Sequence, residues 1–390
     1  MERKTRWRYG WPRMGIAFRG RARWITLVFR CRDLAVRSIG RFWFSLVWTV
    51  GGRRSPSGPS VLAIDSGAVS WCFIDYEELF QSACEYMGPD RVVKVTISDR
   101  ERYVRQVREQ LEGQRVSHYF YDPRSASERP WRSWLQALGL ATMFAWRGII
   151  PISRMTDAHH RRPRAQTTLM SAREGVTLAL MDPHRARALA VHPLIIGPLP
   201  MPLSRKTLLE LAEIRKAERV QRGSVVFVGS LYDPRREFLW EVKRRLRQAG
   251  VELELKVREP GGRRISNDEY WRTLARADVI LSTSTMSFGP GQDQLEETHL
   301  IYRFMEACAI GRPLVAQAVL GAEDLFCSGK EFFACTDPGS ASEVILAVLG
   351  DEKLRERVAE TGLRRAVELT EANYFWSSID RSLDGALSRK

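Results

Sequence analysis

A lone carboxylate in an otherwise apolar helix is the first candidate for chemistry in this 390-residue sequence. Glu306 lies in the stretch 299–317, where Leu300, Phe304 and Cys308, together with Ile301 and Met305, recur at helical spacing. Gly311 is placed to cap that helix, Pro313 forbids its continuation, and Leu314-Val315-Ala316 reads as the buried strand that follows. An unpaired charge on a packed face is expensive, so Glu306 must hydrogen-bond something specific. It can accept two hydroxyl donors through charge-assisted bonds, or pair with Arg303 one turn back. A second candidate group is Asp157, His159 and His160, which follow the apolar run at Ile152 and could supply an acid or base at the carboxyl end of a strand. The same three residues would also suit a solvated loop. Asp65, after Val61-Leu62-Ala63-Ile64, is a further carboxylate in such a position. No GxxxxGK[ST], HExxH or GxSxG pattern occurs, which argues against the usual NTPase, zincin and hydrolase chemistries. The six cysteines (31, 72, 84, 308, 327 and 335) form no CxxC pair and no zinc spacing with histidine, so they read as reduced, buried thiols and no metal site is expected.

These groups must be positioned by alternating strands and helices. In the first half, apolar strands at 61–64, 91–97 and 117–121 alternate with helices at 76–87, 102–112 and 131–140, and short apolar pieces at 167–170, 175–180 and 194–200 complete the set. Pro198, Pro200 and Pro202 mark a rigid crossing. A charged helix at 203–222 then leads to strands at 225–228, 253–257 and 279–282, separated by helices at 238–249 and 268–276. The polar loop 282–298, the Glu306 helix and its strand come next, followed by helices at 340–349, 352–366 and near 376–383. This alternation predicts an α/β chain with two Rossmann-like, doubly wound parallel sheets. The expected divisions are an extension and linker at 1–59, a first domain at 60–202, a second at 203–370, and a terminal helix at 371–390. A 44% hydrophobic, 27% charged composition supplies apolar material for both cores.

A helix reading Arg303-Phe304-Met305-Glu306-Ala307, followed by Gly311-Arg312-Pro313-Leu314-Val315, resembles the donor-site helix of GT-B glycosyltransferases of the group 1 (family 4-like) kind. The closest likeness is to the spore-maturation-type branch. The order of parts from 225 to 370 is similar over about 150 residues: strand–Gly–loop, an Ala-Asp-Val-Ile-Leu-Ser strand, the Glu306 helix, a Gly loop and Gly-Lys-Glu. The resemblance implies two domains facing across a cleft, a terminal helix that crosses back to the first, and metal-independent, hexosyltransferase-type transfer from a nucleotide-sugar. Glu306 would then grip ribose hydroxyls, Arg235 and Arg303 would meet the diphosphate, and Gly229, Ser230 and Gly321 would bring backbone to it. Arg235 and Arg236 would equally fit the solvated start of a surface helix. Asp157 and His159 would face the acceptor from the first domain. Two positions depart from the pattern: Ser230 stands where many relatives have Arg, and Thr298 where they have a second Glu. The second departure bears on stereochemistry and leaves open a catalytically silent nucleotide-sugar-binding or scaffold protein. An epimerase on the same architecture is the other alternative.

Charge is concentrated at the start. Residues 1–54 carry 14 Lys/Arg against Glu2 and Asp33, whereas the whole chain has a net charge of +15. From 23 to 48 the arginines alternate with Trp24, Phe29, Phe42, Trp43 and other apolar residues at helical spacing, and the longest nearly apolar run, 42–50, is too short to span a bilayer. The expected partner is an anionic membrane surface, with the protein peripheral on the cytoplasmic face, acting on a cell-surface glycan or lipid-linked acceptor. The helix could instead pack on the rest of the protein, or precede the true start. No nucleic-acid module is present, so no nucleic-acid partner is expected. The sequence gives no oligomeric state.

Overall fold

Runs of β-branched and leucine residues with helices between them fold into two all-parallel sheets, because a strand buried on both faces needs apolar side chains on both. The structure, a computed structural model, describes residues 31, 34–47, 61–65, 73–155, 161–170, 172, 176–179, 195–231, 233–258, 265–284, 300–319 and 321–388. The first sheet comprises β1 (Leu62–Asp65), β2 (Val92–Val95), β3 (His118–Tyr121), β4 (Ile150–Met155), β5 (Val176–Ala179) and β6 (Ile195–Ile196). Its strand order is β2-β1-β3-β4-β5-β6. Period-two alternation sorts its side chains. Leu62 and Ile64 enter one core with Leu79 and Phe120, while Ala63 enters the other with Val95 and Phe144. The helices are α1 (34–47), α2 (Phe73–Met87), α3 (Tyr103–Gln110), α4 (Pro130–Arg147) and α5 (Arg161–Met170).

The second sheet comprises β7 (Val225–Ser230), β8 (Leu253–Arg258), β9 (Val279–Ser282), β10 (Leu314–Gln317) and β11 (Phe333–Cys335), in the order β11-β10-β9-β7-β8. Its helices are α6 (Arg205–Ala217), α7 (Arg235–Gln248), α8 (Asn267–Arg276), α9 (Arg303–Ala309), α10 (Pro338–Gly350) and α11 (Glu352–Glu371). Ser204, Ser266, Asp337 and Asp351 cap α6, α8, α10 and α11 through their side chains, which is why these helices start where they do. The last helix, α12 (Tyr374–Ser382), packs in the first half. Trp376 donates its indole N–H to Ser82 Oγ at 2.9 Å, and Tyr86 donates to Asp380 Oδ2 at 2.8 Å. Two carboxylates of α2 hold the start of α6: Glu78 accepts from the Ser204 amide at 2.7 Å and Glu85 from the Arg205 amide at 2.9 Å.

Several expectations change. The helix expected at 131–140 runs on to Arg147, where Gly148 takes a left-handed φ of 70°. The piece at 167–170 is the end of α5, because Gln166, Thr167 and Thr168 are buried and the segment is no isolated apolar run. Of the cysteines, Cys308 and Cys335 are buried, but Cys31 and Cys327 are exposed. Only residues 31 and 34–47 of the basic amphipathic helix are described, and its aromatic face divides. Phe44 is buried beside Leu140, Phe144 and Leu169, whereas Phe42 and Trp43 are exposed. A Cβ on Gly40 would lie 3.0 Å from Ala172 Cβ, so glycine permits this close approach. Residues 23–30 and the linker at 51–60 lie outside the described residues.

One buried residue makes the first half sensitive to acid. Burial lowers the His118 imidazole to about 4, its Nδ1 meets Ser117 Oγ at 2.9 Å, and its Nε2 has no hydrogen-bond partner among the described residues. A ring kept neutral in the folded chain but protonated in the unfolded one stabilises fully above pH 6.5, and this is lost progressively towards pH 4. Urea unfolding is expected to show about 2 kcal/mol less stability at pH 5 than at pH 7 from this group. His118→Gln should remove that part of the pH dependence; an unchanged slope would refute the assignment.

Candidate functional site

The carboxyl ends of parallel strands are where an open α/β sheet presents its loops, and the candidate residues of the second half gather there. Glu306 sits on α9 and is 7% exposed. Its Oε2 accepts a short hydrogen bond from the Tyr270 hydroxyl and lies 3.3 Å from Arg303 Nη1. Tyr270 comes from α8, and its ring lies under the Arg303 guanidinium at 5.0 Å. Burial and Glu306 push the Tyr270 hydroxyl far above its ordinary range even against the Arg303 charge, so it stays a donor. The other carboxylate oxygen, Oε1, accepts no hydrogen bond from the described residues. The pairing of Glu306 with Arg303 is therefore real, and it occupies half of the carboxylate.

Arg303 also reaches the neighbouring strand. Its Nη2 donates to the Val228 carbonyl at 2.6 Å, one residue before Gly229. Arg235, the first residue of α7, donates from Nη1 to the Ser230 carbonyl at 3.2 Å and from Nη2 to the Thr283 carbonyl at 3.5 Å, and lies over the Phe227 ring at 5.8 Å. Two guanidiniums thus bracket Gly229 at the end of β7. The surface-helix reading fits Arg236, which is half-exposed and 3.8 Å from Asp233, but not the buried Arg235. Gly229 has a packing role: a Cβ there would lie 3.0 Å from Phe227 Cζ. Gly321 has φ 89° at the head of a short 3-10 turn, Ala322–Asp324, a conformation that favours glycine. Ala322 and Phe326 pack with Phe304 in one core, which seats this loop against α9.

In the first half, Asp157, His159 and His160 lie outside the described residues, as does Thr298 in the second. Asp65 ends β1, fully buried, and receives the Tyr103 hydroxyl at 2.5 Å. Beside it is a group that the sequence reading missed. Asp122, just past β3, is 2.6 Å from Arg124 and 3.6 Å from Arg154, and accepts from the Tyr76 hydroxyl at 3.0 Å. Burial alone would raise the Asp122 carboxyl, but the two guanidiniums hold it below the usual carboxylate range. It is a fixed anion rather than a proton acceptor at neutral pH. Arg154, at the end of β4, lies over the Tyr302 ring at 5.5 Å, so the two halves touch one residue before Arg303. The signal in the sequence was Asp-Pro-Arg directly after an apolar strand. Among the described residues, no group of three or more His, Cys, Asp and Glu could hold a metal ion.

Residues 214–376 match the glycosyl transferase-like family. Among solved structures, sucrose-phosphate synthase from Thermosynechococcus elongatus is similar at 12% identity, over 84% of this chain and 100% of its own, with a TM-score of 0.56. HepE of Anabaena in complex with UDP-glucose is similar at 14% identity, over 84% and 100%, with a TM-score of 0.48. A putative UDP-N-acetylglucosamine 2-epimerase from Listeria monocytogenes is similar at 9% identity, over 82% and 98%, with a TM-score of 0.45. No curated protein matches the sequence. The likeness to the synthase, with the two parallel sheets, shows the GT-B fold.

In the second half, α9 is held in place by a close contact with α11. A Cβ on Gly362 would lie 2.8 Å from the Glu331 carbonyl oxygen and 3.2 Å from Cys308 Sγ. Alanine gains about 1 kcal/mol of helix propensity over glycine, but the backbone contact cannot be relieved by a rotamer change. Gly362→Ala is therefore expected to lose about 1–2 kcal/mol net, read as a lower melting temperature. A higher one would show that α11 and α9 do not pack this closely.

Proposed function

We propose that this protein is a group 1 glycosyltransferase that moves a sugar from a nucleotide-sugar donor to an acceptor without a metal ion. One observation carries the reading. The Glu306 carboxylate is buried, held by Arg303 and Tyr270 through one oxygen, and has its second oxygen left over at the carboxyl edge of the second sheet. A pair of ribose hydroxyls is a fitting donor for that oxygen, and the family match over residues 214–376 supports this assignment. Arg303, Arg235 and the backbone at Gly229, Ser230 and Gly321 would surround the diphosphate, where fixed positive charge stabilises the leaving oxygens as the glycosidic bond breaks. Asp157 and His159 are proposed to serve the acceptor hydroxyl. The acceptor is proposed to be a cell-surface glycan or its lipid-linked precursor, reached by a protein peripheral on the cytoplasmic membrane face through residues 23–48. Hexosyl transfer and the spore-maturation-type branch are the finer parts of the same proposal.

The test is a panel of UDP, GDP, ADP and CMP with their sugars, read first by thermal shift and then by turnover. A ligand at ~100 times its Kd stabilises by about 2.7 kcal/mol, so one base should stand out. Turnover that needs an acceptor supports the transferase, and donor conversion without an acceptor supports an epimerase. Binding without turnover supports a silent homologue, the reading favoured by Thr298 in place of a second Glu.

A further inference from the structure

Exposed apolar side chains are unremarkable singly and informative when they are contiguous. On α4, Trp131, Leu135, Leu138 and Trp146 are all exposed, the first two at 61% and 59%. With Thr142 they fall on one narrow stripe of the helix. The opposite side, Gln136, Ala137, Leu140, Ala141 and Phe144, is buried on the first sheet. Alongside, α1 turns Phe44 inward and exposes Ile39, Phe42, Trp43 and Leu46, with Phe42 at 74%. The two stripes are joined: Trp43 Nε1 donates to Thr142 Oγ1 at 3.1 Å, one turn from both Leu138 and Trp146.

Within the two helices the charge has one sign, although Arg132 is paired with Glu101 at 2.7 Å and the exposed Glu128 lies just before α4. Residues 34–47 contain Arg37 and Arg41, residues 130–147 contain Arg132 and Arg147, and neither stretch has an Asp or Glu. The strongly basic segment 1–54 leads directly into it. Among the described residues no helix is long and apolar enough to cross a membrane. A broad apolar face rich in tryptophan, bordered by arginine and unable to span, fits the interface of an anionic bilayer. The chain leaves β3 at its carboxyl end, passes Asp122 and Arg124 and enters α4 at Pro130, so Trp131 lies towards the carboxyl edge of the first sheet, where Asp65 and Asp122 sit.

We propose that α4 and α1 together form the membrane-seating face of the protein, with Trp131, Leu135, Leu138 and Trp146 entering the headgroup–acyl boundary of an anionic bilayer. This rests on the peripheral-membrane reading above and extends it to a helix of the folded first domain. The first domain then sits on the bilayer by a rigid surface, and the carboxyl edge of its sheet faces an amphiphilic acceptor held in the same bilayer.

The full chain is co-sedimented with vesicles of phosphatidylcholine alone and of phosphatidylcholine mixed with phosphatidylglycerol. The wild type should bind the mixed vesicles. The double variant L135E/L138E, with residues 1–54 intact, should bind them at least about tenfold more weakly, because two carboxylates enter the apolar face. W240E, an equally exposed tryptophan site on α7, should bind like the wild type. Circular dichroism checks folding, and W131S/W146S tests the same face if L135E/L138E unfolds. If the α4 variants bind like the wild type, the inference is overturned while membrane attachment through residues 1–54 stands. Failure of the wild type to bind either vesicle overturns both. A wild-type dimer that L135E/L138E dissociates, with no vesicle binding, assigns the face to a second copy of the chain and also overturns the proposal.

Discussion

Glu306→Ala is expected to weaken nucleotide-sugar binding by roughly ten- to a few hundredfold, the effect of losing hydrogen bonds of about 1.5–3 kcal/mol to a charged group. The loss should appear in titration with the base identified by thermal shift, and turnover should fall with it. The mutation also removes the carboxylate beside Arg303, a largely buried guanidinium that among the described residues keeps the Tyr270 hydroxyl and the Val228 carbonyl. Some stability will therefore be lost together with the affinity, and two further variants separate the effects. Tyr270→Phe removes the donor to Oε2 and leaves the carboxylate, so affinity should fall less than in the alanine variant. Glu306→Gln keeps the shape and one acceptor but not the charge, and should lie between. If Glu306→Ala melts lower yet binds every nucleotide as the wild type does, the carboxylate is purely structural.

The contrast between Glu306 and Tyr270 explains what the sequence could and could not disclose. Glu306 interrupts an apolar helical period, and a charge at such a position must have a reason to be there. Tyr270 lies 36 residues upstream on another helix, and nothing in its neighbourhood points to a carboxylate. The same holds for Asp122 and Arg154, brought together only when β3 pairs with β4 in register. The strands were legible because Val61-Leu62-Ala63-Ile64 and Val225-Val226-Phe227-Val228 are too apolar to be exposed on either face. The α5 helix was not, since its buried residues include Gln166, Thr167 and Thr168, whose polarity imitates a loop. In α1 the helical period was plain, but with apolar side chains around most of its circumference the sequence could not say that Gly40 and Phe44 face the protein. Close approach at a glycine is a property of the neighbour, here Ala172, and not of the helix that carries it.

Trp376→Ala should produce the largest stability loss of any single substitution considered, about 3–5 kcal/mol for deleting a buried aromatic side chain. Trp376 is 1% exposed, packs edge-on against Phe120 at 5.9 Å and Phe375 at 5.0 Å, and spends its indole N–H on Ser82. Its position in the chain gives the loss a direction. The α12 helix follows α11 of the second half yet is seated on α2 and β3 of the first, so Trp376 anchors a segment that ties one half to the other. Trp376→Phe keeps most of the apolar volume and should recover the larger part of the stability, the remainder being the hydrogen bond to Ser82, worth about 1 kcal/mol. The proposed donor groups all lie in the second half, so nucleotide affinity at a temperature where the variant is folded should be nearly unchanged. Turnover, which needs the acceptor side brought to the donor, should fall. Lost stability with retained affinity is the reverse of what is expected at Glu306. A Trp376→Ala protein with an unaltered melting temperature would show that α12 is not seated on the first sheet in solution.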